Sequence, residues 1–150
     1  YNSDMTADAP KAHLTAAIWN WNVYYATAMQ AAIDCAGDAS KFVETMGSGA
    51  YYGGLKEGFV DASPLTANCA ANTDKAIEAV RKLIVDGEWD VFSGVKLKIT
   101  VTDGEATVEQ EDAALMDNAG NEIVAAGGAS VEDGVITGTM NYLVAGVEKA

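Results

Sequence analysis

The sequence predicts a mixed α/β chain. Residues 73–86 repeat apolar side chains at helical spacing between a capping residue and a glycine, and residues 95–110 alternate apolar and polar around Asp103-Gly104. Short apolar runs at 13–18 and 58–62, each bounded by turn residues, suit strands interleaved with the helical segments.

In chain order, Asp8-Ala9-Pro10 reads as a turn, because proline fixes φ and interrupts a strand. His13 to Ile18 is expected as a strand. From Asn20 to Ala36 the alanine-rich composition favours a helix, with Tyr25, Met29, Ala32 and Ile33 on one face, Asn20 or Asn22 as N-cap and Gly37 beyond its end. Residues 38–49 read as a polar connection. Tyr51-Tyr52-Gly53-Gly54 lacks the spacing of a phosphate-binding loop, so its glycines are expected to serve a bend or a close backbone approach before the strand Gly58 to Ala62.

Residues 63–72 read as loop. The next helix, from Thr73 or Asp74 to Asp86, is capped by Asn72 or Thr73, carries Ala76, Ile77, Val80, Leu83 and Ile84 on one stripe, and is closed by Gly87. Val95 to Thr102 and Glu105 to Gln110 form a hairpin around a two-residue Asp-Gly loop. A turn at 117–121, a short strand at 122–126 and a short helix within 130–140 complete the chain.

The totals exclude several classes of function. A chain of 150 residues is about one domain, and no apolar run reaches the length of a membrane-spanning helix. The net charge of −13 repels nucleic acid and anionic lipid, so neither is expected as a partner. Cys35 and Cys69 show no metal-ligand spacing, and the single histidine, His13, is distant from both, so no metal is expected. The two cysteines fit either one disulfide or two thiols, with the disulfide slightly favoured. No nucleophile, base and orienting group stand at catalytic spacing, so no enzyme and no cofactor are expected.

His13 to Tyr25, HLTAAIWNWNVYY, is the stretch with binding character. Large aromatic faces interleaved with amides suit a flat, hydrogen-bonding ligand, since stacking supplies area and amides supply direction. Aromatic residues also bury well in any core.

Four blocks point to a family. They are Asn2-Ser3-Asp4-Met5 with Ala9-Pro10, Ala12 to Trp21 and Tyr24-Tyr25; Tyr52 to Asp61; Asp86 to Gly94; and Asp117 to Asn121 with Tyr142 to Val147. In this order they resemble the C-terminal part of the basic membrane protein family, the purine-nucleoside-receptor-like lipoproteins. The resemblance implies the substrate-binding component of an ABC importer, periplasmic or anchored outside the cytoplasmic membrane. It implies a two-lobed, type I periplasmic-binding fold that closes about a hinge on a nucleoside or similar small molecule.

Family members are about twice as long, so residues 1–150 are expected as the C-terminal portion, with segments of both lobes and the hinge. The expected partners are the small-molecule ligand, the ABC permease and the N-terminal half of the same protein. By the same resemblance Asp4 accepts ligand hydroxyls, with Asn2 beside it replacing the family's first acid. Trp19 stands where many members carry a ligand-contacting lysine, so stacking takes the place of a cation; Trp21 adds a second face and Asn20 an amide. The hairpin 95–110 lacks a counterpart in shorter members and reads as an insertion. The alternative is a structural or interaction piece with no ligand of its own.

Overall fold

A computed structural model describes residues 4–148; Asn2 lies outside the described residues. The chain combines helices with short antiparallel strand pairs and divides into two compact units, Tyr1–Ala71 and Asn72–Ala150.

In the first unit, strand β1 (Ala17–Trp19) leads into helix α1 (Trp21–Asp34), followed by helix α2 (Ala39–Met46) and strand β2 (Val60–Ala62). β1 and β2 pair antiparallel, with Trp19 opposite Val60 and Ala17 opposite Ala62. The predicted strand began at His13, whereas the regular ladder begins at Ala17. Pro64, on the opposing segment, has no N–H to offer. Side chains take over instead: Ser63 Oγ accepts the Ala16 N–H at 2.9 Å, and the Thr66 hydroxyl donates to the His13 carbonyl at 2.6 Å. Asn68 Nδ2 donates to the same carbonyl at 2.8 Å.

Helix α1 has Asn20 as its N-cap residue, but the Asn20 side chain makes no capping bond. Its predicted apolar face does not become core. Tyr25, Met29 and Ile33 are 59%, 68% and 70% exposed, and Ala31 is the buried residue of this helix. Helix α2 occupies what read as a polar connection. Asp38 caps it, accepting from the Ser40 N–H at 3.0 Å and the Ser40 hydroxyl at 2.6 Å. Those two donors, the hydroxyl first, hold the Asp38 carboxyl below the usual carboxylate range. Phe42 is half-buried and Met46 buried, one turn apart on the face that packs against α1.

The second unit begins with helix α3 (Thr73–Asp86), as the sequence predicts, and Gly87 ends it in a left-handed cap. α3 packs on a hairpin of β3 (Val95–Thr102) and β4 (Glu105–Asp112), paired in register from Val95 opposite Asp112 to Thr102 opposite Glu105. The second strand runs two residues beyond its predicted end. Trp89 Nε1 donates to the Val95 carbonyl at 2.9 Å and ties the loop after α3 to the hairpin. Strands β5 (Leu115–Met116) and β6 (Glu122–Val124) flank the predicted turn, in which the Asp117 carboxylate accepts from the Asn121 side chain and from the Asn121 and Ala119 N–H groups. A short helix, α4 (Asp133–Gly138), follows.

Among the described residues only Ala31, Met46 and Phe59 are buried apolar side chains, and all three belong to the first unit. None of the described helices is long and apolar enough to cross a membrane.

Candidate aromatic binding site

The first unit gathers its aromatic rings around Phe59, which is 8% exposed. The β1–β2 pairing explains the convergence. Trp19 ends β1 opposite Val60, the Asn20 N–H donates to the Phe59 carbonyl at 2.7 Å, and α1 then starts at Trp21. Phe59 is thereby held beside both indoles. Trp19 stacks on it with centroids 6.1 Å apart and planes 22° apart; Trp21 meets it edge-on at 5.6 Å and Tyr51 edge-on at 5.4 Å. Tyr24, one turn into α1, is 5.6 Å from Tyr51 and 6.0 Å from Trp21. Such edge and offset contacts satisfy the ring quadrupoles.

Tyr51 reaches the cluster through a tight turn. Phe59 and Val60 both donate their N–H to the Gly54 carbonyl, and Glu57 Oε2 accepts the Gly54 N–H at 2.7 Å. That bond, more than the neighbouring Lys56, keeps the Glu57 carboxyl below its usual range. Gly53 is required by proximity: a Cβ there would lie 2.7 Å from Tyr51 Cε1 and 2.8 Å from Phe59 Cβ. The close-approach role expected for these glycines is met at Gly53.

The rings enclose an open hollow of about 440 Å³, bordered by Trp19, Trp21, Tyr24, Tyr51, Tyr52, Gly53, Phe59 and Val60. Trp19 and Trp21 keep 42% and 46% of their surface exposed and Tyr52 keeps 80%, so the walls are accessible. Its size lies in the range of small-molecule sites, which runs from roughly 300 to 1,000 Å³. Among the described residues no charged side chain borders it.

The structure brings Trp19 and Trp21 together but leaves other expected site residues elsewhere. Asn20 contributes its backbone, and its amide does not border the hollow. Asp4 does not border it either; its Oδ1 accepts from the hydroxyl and N–H of Thr6, which, in that order, hold its carboxyl below the usual range. His13 Nε2 lies 3.3 Å from Asp4 Oδ1, buried and without a hydrogen bond. Tyr24, Tyr51, Tyr52 and Phe59 are the ring contributors that sequence reasoning missed as site residues.

The slight preference for a disulfide is corrected. Cys35 and Cys69 are free thiols, turned onto backbone carbonyls of different segments: Cys35 Sγ onto Ala32 at 3.2 Å and Cys69 Sγ onto Leu14 at 3.5 Å. Among the described residues no three His, Cys, Asp or Glu side chains converge as a metal site. Comparison with known proteins finds no matching family model and no matching curated protein.

Proposed function

We propose that this chain captures a neutral, flat small molecule such as a nucleoside, as the C-terminal portion of an extracytoplasmic substrate-binding protein serving an ABC importer. The observation that carries the proposal is the hollow bordered by Trp19, Trp21, Tyr24, Tyr51 and Phe59. Partly exposed indole and phenol faces give a planar ring stacking area, and an uncharged wall suits an uncharged ligand. The net charge of −13 selects further against anions. Capture in a two-lobed protein requires that the closed state contact the ligand more than the open state does, and that difference drives hinge closure. Asp4, which does not border the hollow, is assigned to ligand hydroxyls by the family resemblance alone.

The test is calorimetry with adenosine, inosine and uridine, on this chain and on the full-length protein, beside Trp19→Ala and Asp4→Ala. Heat that saturates and is weakened by Trp19→Ala supports the proposal. Absence of heat with every nucleoside ends it, and wild-type binding by Asp4→Ala removes Asp4 from the site.

A second reading is favoured by the outer face of α1. Trp21, Tyr25, Met29 and Ile33 form an i, i+4 ridge that is 46%, 59%, 68% and 70% exposed. An uncharged ridge of this length suits contact with another polypeptide. The chain would then act as an interaction piece without a ligand. Sedimentation of wild type beside Met29→Glu, with and without adenosine, separates the two: association lost in the variant with no nucleoside binding supports the second reading, and a monomer that binds nucleoside supports the first.

A further inference from the structure

We propose that the second unit carries a binding site of its own, between the end of α3 and the base of the hairpin, and that it takes a primary ammonium attached to a small apolar body. All of its residues belong to the second unit, so it stands whether or not the aromatic hollow of the first unit binds a nucleoside.

A hollow of about 340 Å³ lies between the loop after α3 and strands β3 and β4, a size within the range of small-molecule sites. Ile84, Val91 and Val95 give it an apolar side, Trp89 an indole, and Glu88 and Asp90 two carboxylates. The fold holds these groups in place. Gly87 ends α3 in a left-handed cap, and the N–H groups of Glu88 and Trp89 both donate to the Leu83 carbonyl. Trp89 Nε1 is committed to the Val95 carbonyl, which fixes the ring and leaves its π surface as what it can offer a ligand. Asp90 Oδ1 accepts from the Phe92 N–H at 2.8 Å and the Ser130 hydroxyl at 2.6 Å. Its Oδ2 has no protein donor among the described residues, and the Glu88 carboxylate has neither a hydrogen bond nor an ion pair among them. Lys82, which feels the Glu88 charge, bonds Asp86 instead.

Charge and shape together narrow the ligand. Among the described residues no lysine, arginine or histidine borders this hollow, and a net charge of −13 draws cations and repels anions. An inorganic cation finds too few ligands: calcium takes about six to eight oxygens, and among the described residues no three His, Cys, Asp or Glu side chains converge. Glu88 and Asp90 are exposed, and exposed carboxylates alone hold an ammonium weakly because water screens the pair. The apolar side and the indole supply what the carboxylates lack, area for a hydrocarbon body and a π surface for the cation beside it. A primary ammonium brings three N–H donors, which suits two carboxylates flanking Trp89 in the chain.

The whole chain is titrated with phenethylamine, protonated at neutral pH, and with 2-phenylethanol, which keeps the same body and replaces the ammonium by a hydroxyl. Calorimetry should show the amine bound about tenfold more tightly, the yield of one charge-assisted hydrogen bond. The Trp89 indole N–H resonance should move as the amine saturates. Asp90→Asn keeps the oxygen that accepts from Phe92 and Ser130 and removes only the charge. That variant and Glu88→Gln should each weaken the amine several-fold while the alcohol binds unchanged, which also reports that they are folded. Glu105→Gln lowers the net charge equally at a residue that does not border the hollow, and should bind the amine as wild type does. Equal affinity for amine and alcohol overturns the proposal. So does a loss in Glu105→Gln equal to that in Asp90→Asn, which would assign the attraction to the diffuse field of the chain. Absence of saturable amine binding by wild type, or stoichiometric displacement of the amine by calcium, overturns it as well and leaves the nucleoside reading untouched.

Discussion

Phe59 and Trp19 stack 6.1 Å apart with their planes 22° from parallel, and they do so because the Asn20 N–H bonds the Phe59 carbonyl just where β1 hands over to α1. Phe59 is the ring against which Trp19, Trp21, Tyr24 and Tyr51 are all arranged. Truncating it therefore removes the floor of the hollow and leaves a void under four rings. Phe59→Ala is expected to cost the first unit about 3–5 kcal/mol, the usual range for a buried Phe→Ala. Urea unfolding followed by tryptophan fluorescence reads the loss, and near-UV circular dichroism should lose its aromatic bands. An unchanged midpoint would show that Phe59 is not the centre of this cluster.

Gly53 tests whether the hollow depends on a backbone approach rather than on ring area alone. Its added Cβ would fall inside contact distance of Tyr51 and of Phe59 Cβ, whereas a Cβ at Gly54 would meet only Glu57 Oε2 at an ordinary 3.5 Å. The Tyr51 ring can turn away, but Phe59 Cβ is fixed by its own backbone. Gly53→Ala should cost about 1–3 kcal/mol, as overpacking does, with weakened nucleoside binding, and Gly54→Ala should leave binding near wild type. Equal behaviour of the two variants in thermal unfolding and calorimetry would contradict this assignment.

The elements legible in the sequence are those whose signals are local. Helix α3 places Ala76, Val80, Leu83 and Ile84 on one stripe between Asn72 and Gly87, and the hairpin declares itself through strict alternation around Asp103-Gly104. Helix α2 is different. It turns only Phe42 and Met46 inward within an otherwise polar segment, and its one early sign is the Asp38 cap. The site was half legible for a related reason. Trp19 and Trp21 stand together in the chain, but Tyr51 and Phe59 join them only through the antiparallel register of β1 and β2, which no local pattern specifies. The apolar face of α1 misled, because periodicity marks a face suited to burial without supplying the surface that buries it.

Acidification should loosen the turn that presents Tyr51. Glu57 is depressed by the Gly54 N–H it accepts, and a carboxyl lowered by folding contributes stability that is present above its unfolded value. That contribution is lost as pH falls through the folded value. The window thus opens below the ordinary glutamate value of about 4.3. Glu57 is exposed, so the effect is local and screened by solvent. The Gly54 amide proton resonance should shift upfield as pH drops through this window in wild type, and should stay flat in Glu57→Gln. A matching titration in both proteins would place the responsible group elsewhere.

In the hairpin, two local features compete as sources of stability. Lys98 and Glu109 pair across the strands at 2.9 Å, but both side chains are more than half exposed, at 61% and 58%. Such surface pairs contribute roughly 0.2–1 kcal/mol and weaken with salt. The turn imposes a sharper demand. Asp103 and Gly104 both adopt positive φ, 53° and 81°, the left-handed pair that a two-residue hairpin needs to match strand twist. Aspartate tolerates that region and glycine enters it freely, whereas a β-carbon at Gly104 costs about 1–2 kcal/mol. Gly104→Ala should therefore destabilise the hairpin more than Lys98→Ala, and its effect should persist in high salt while that of Lys98→Ala fades. Because α3 packs on β3 and β4, part of the loss should appear in the helical circular dichroism signal as well. Measuring both variants by urea unfolding at low and high salt decides it: a larger loss for Lys98→Ala would mean that the ion pair, not the turn, holds the hairpin closed.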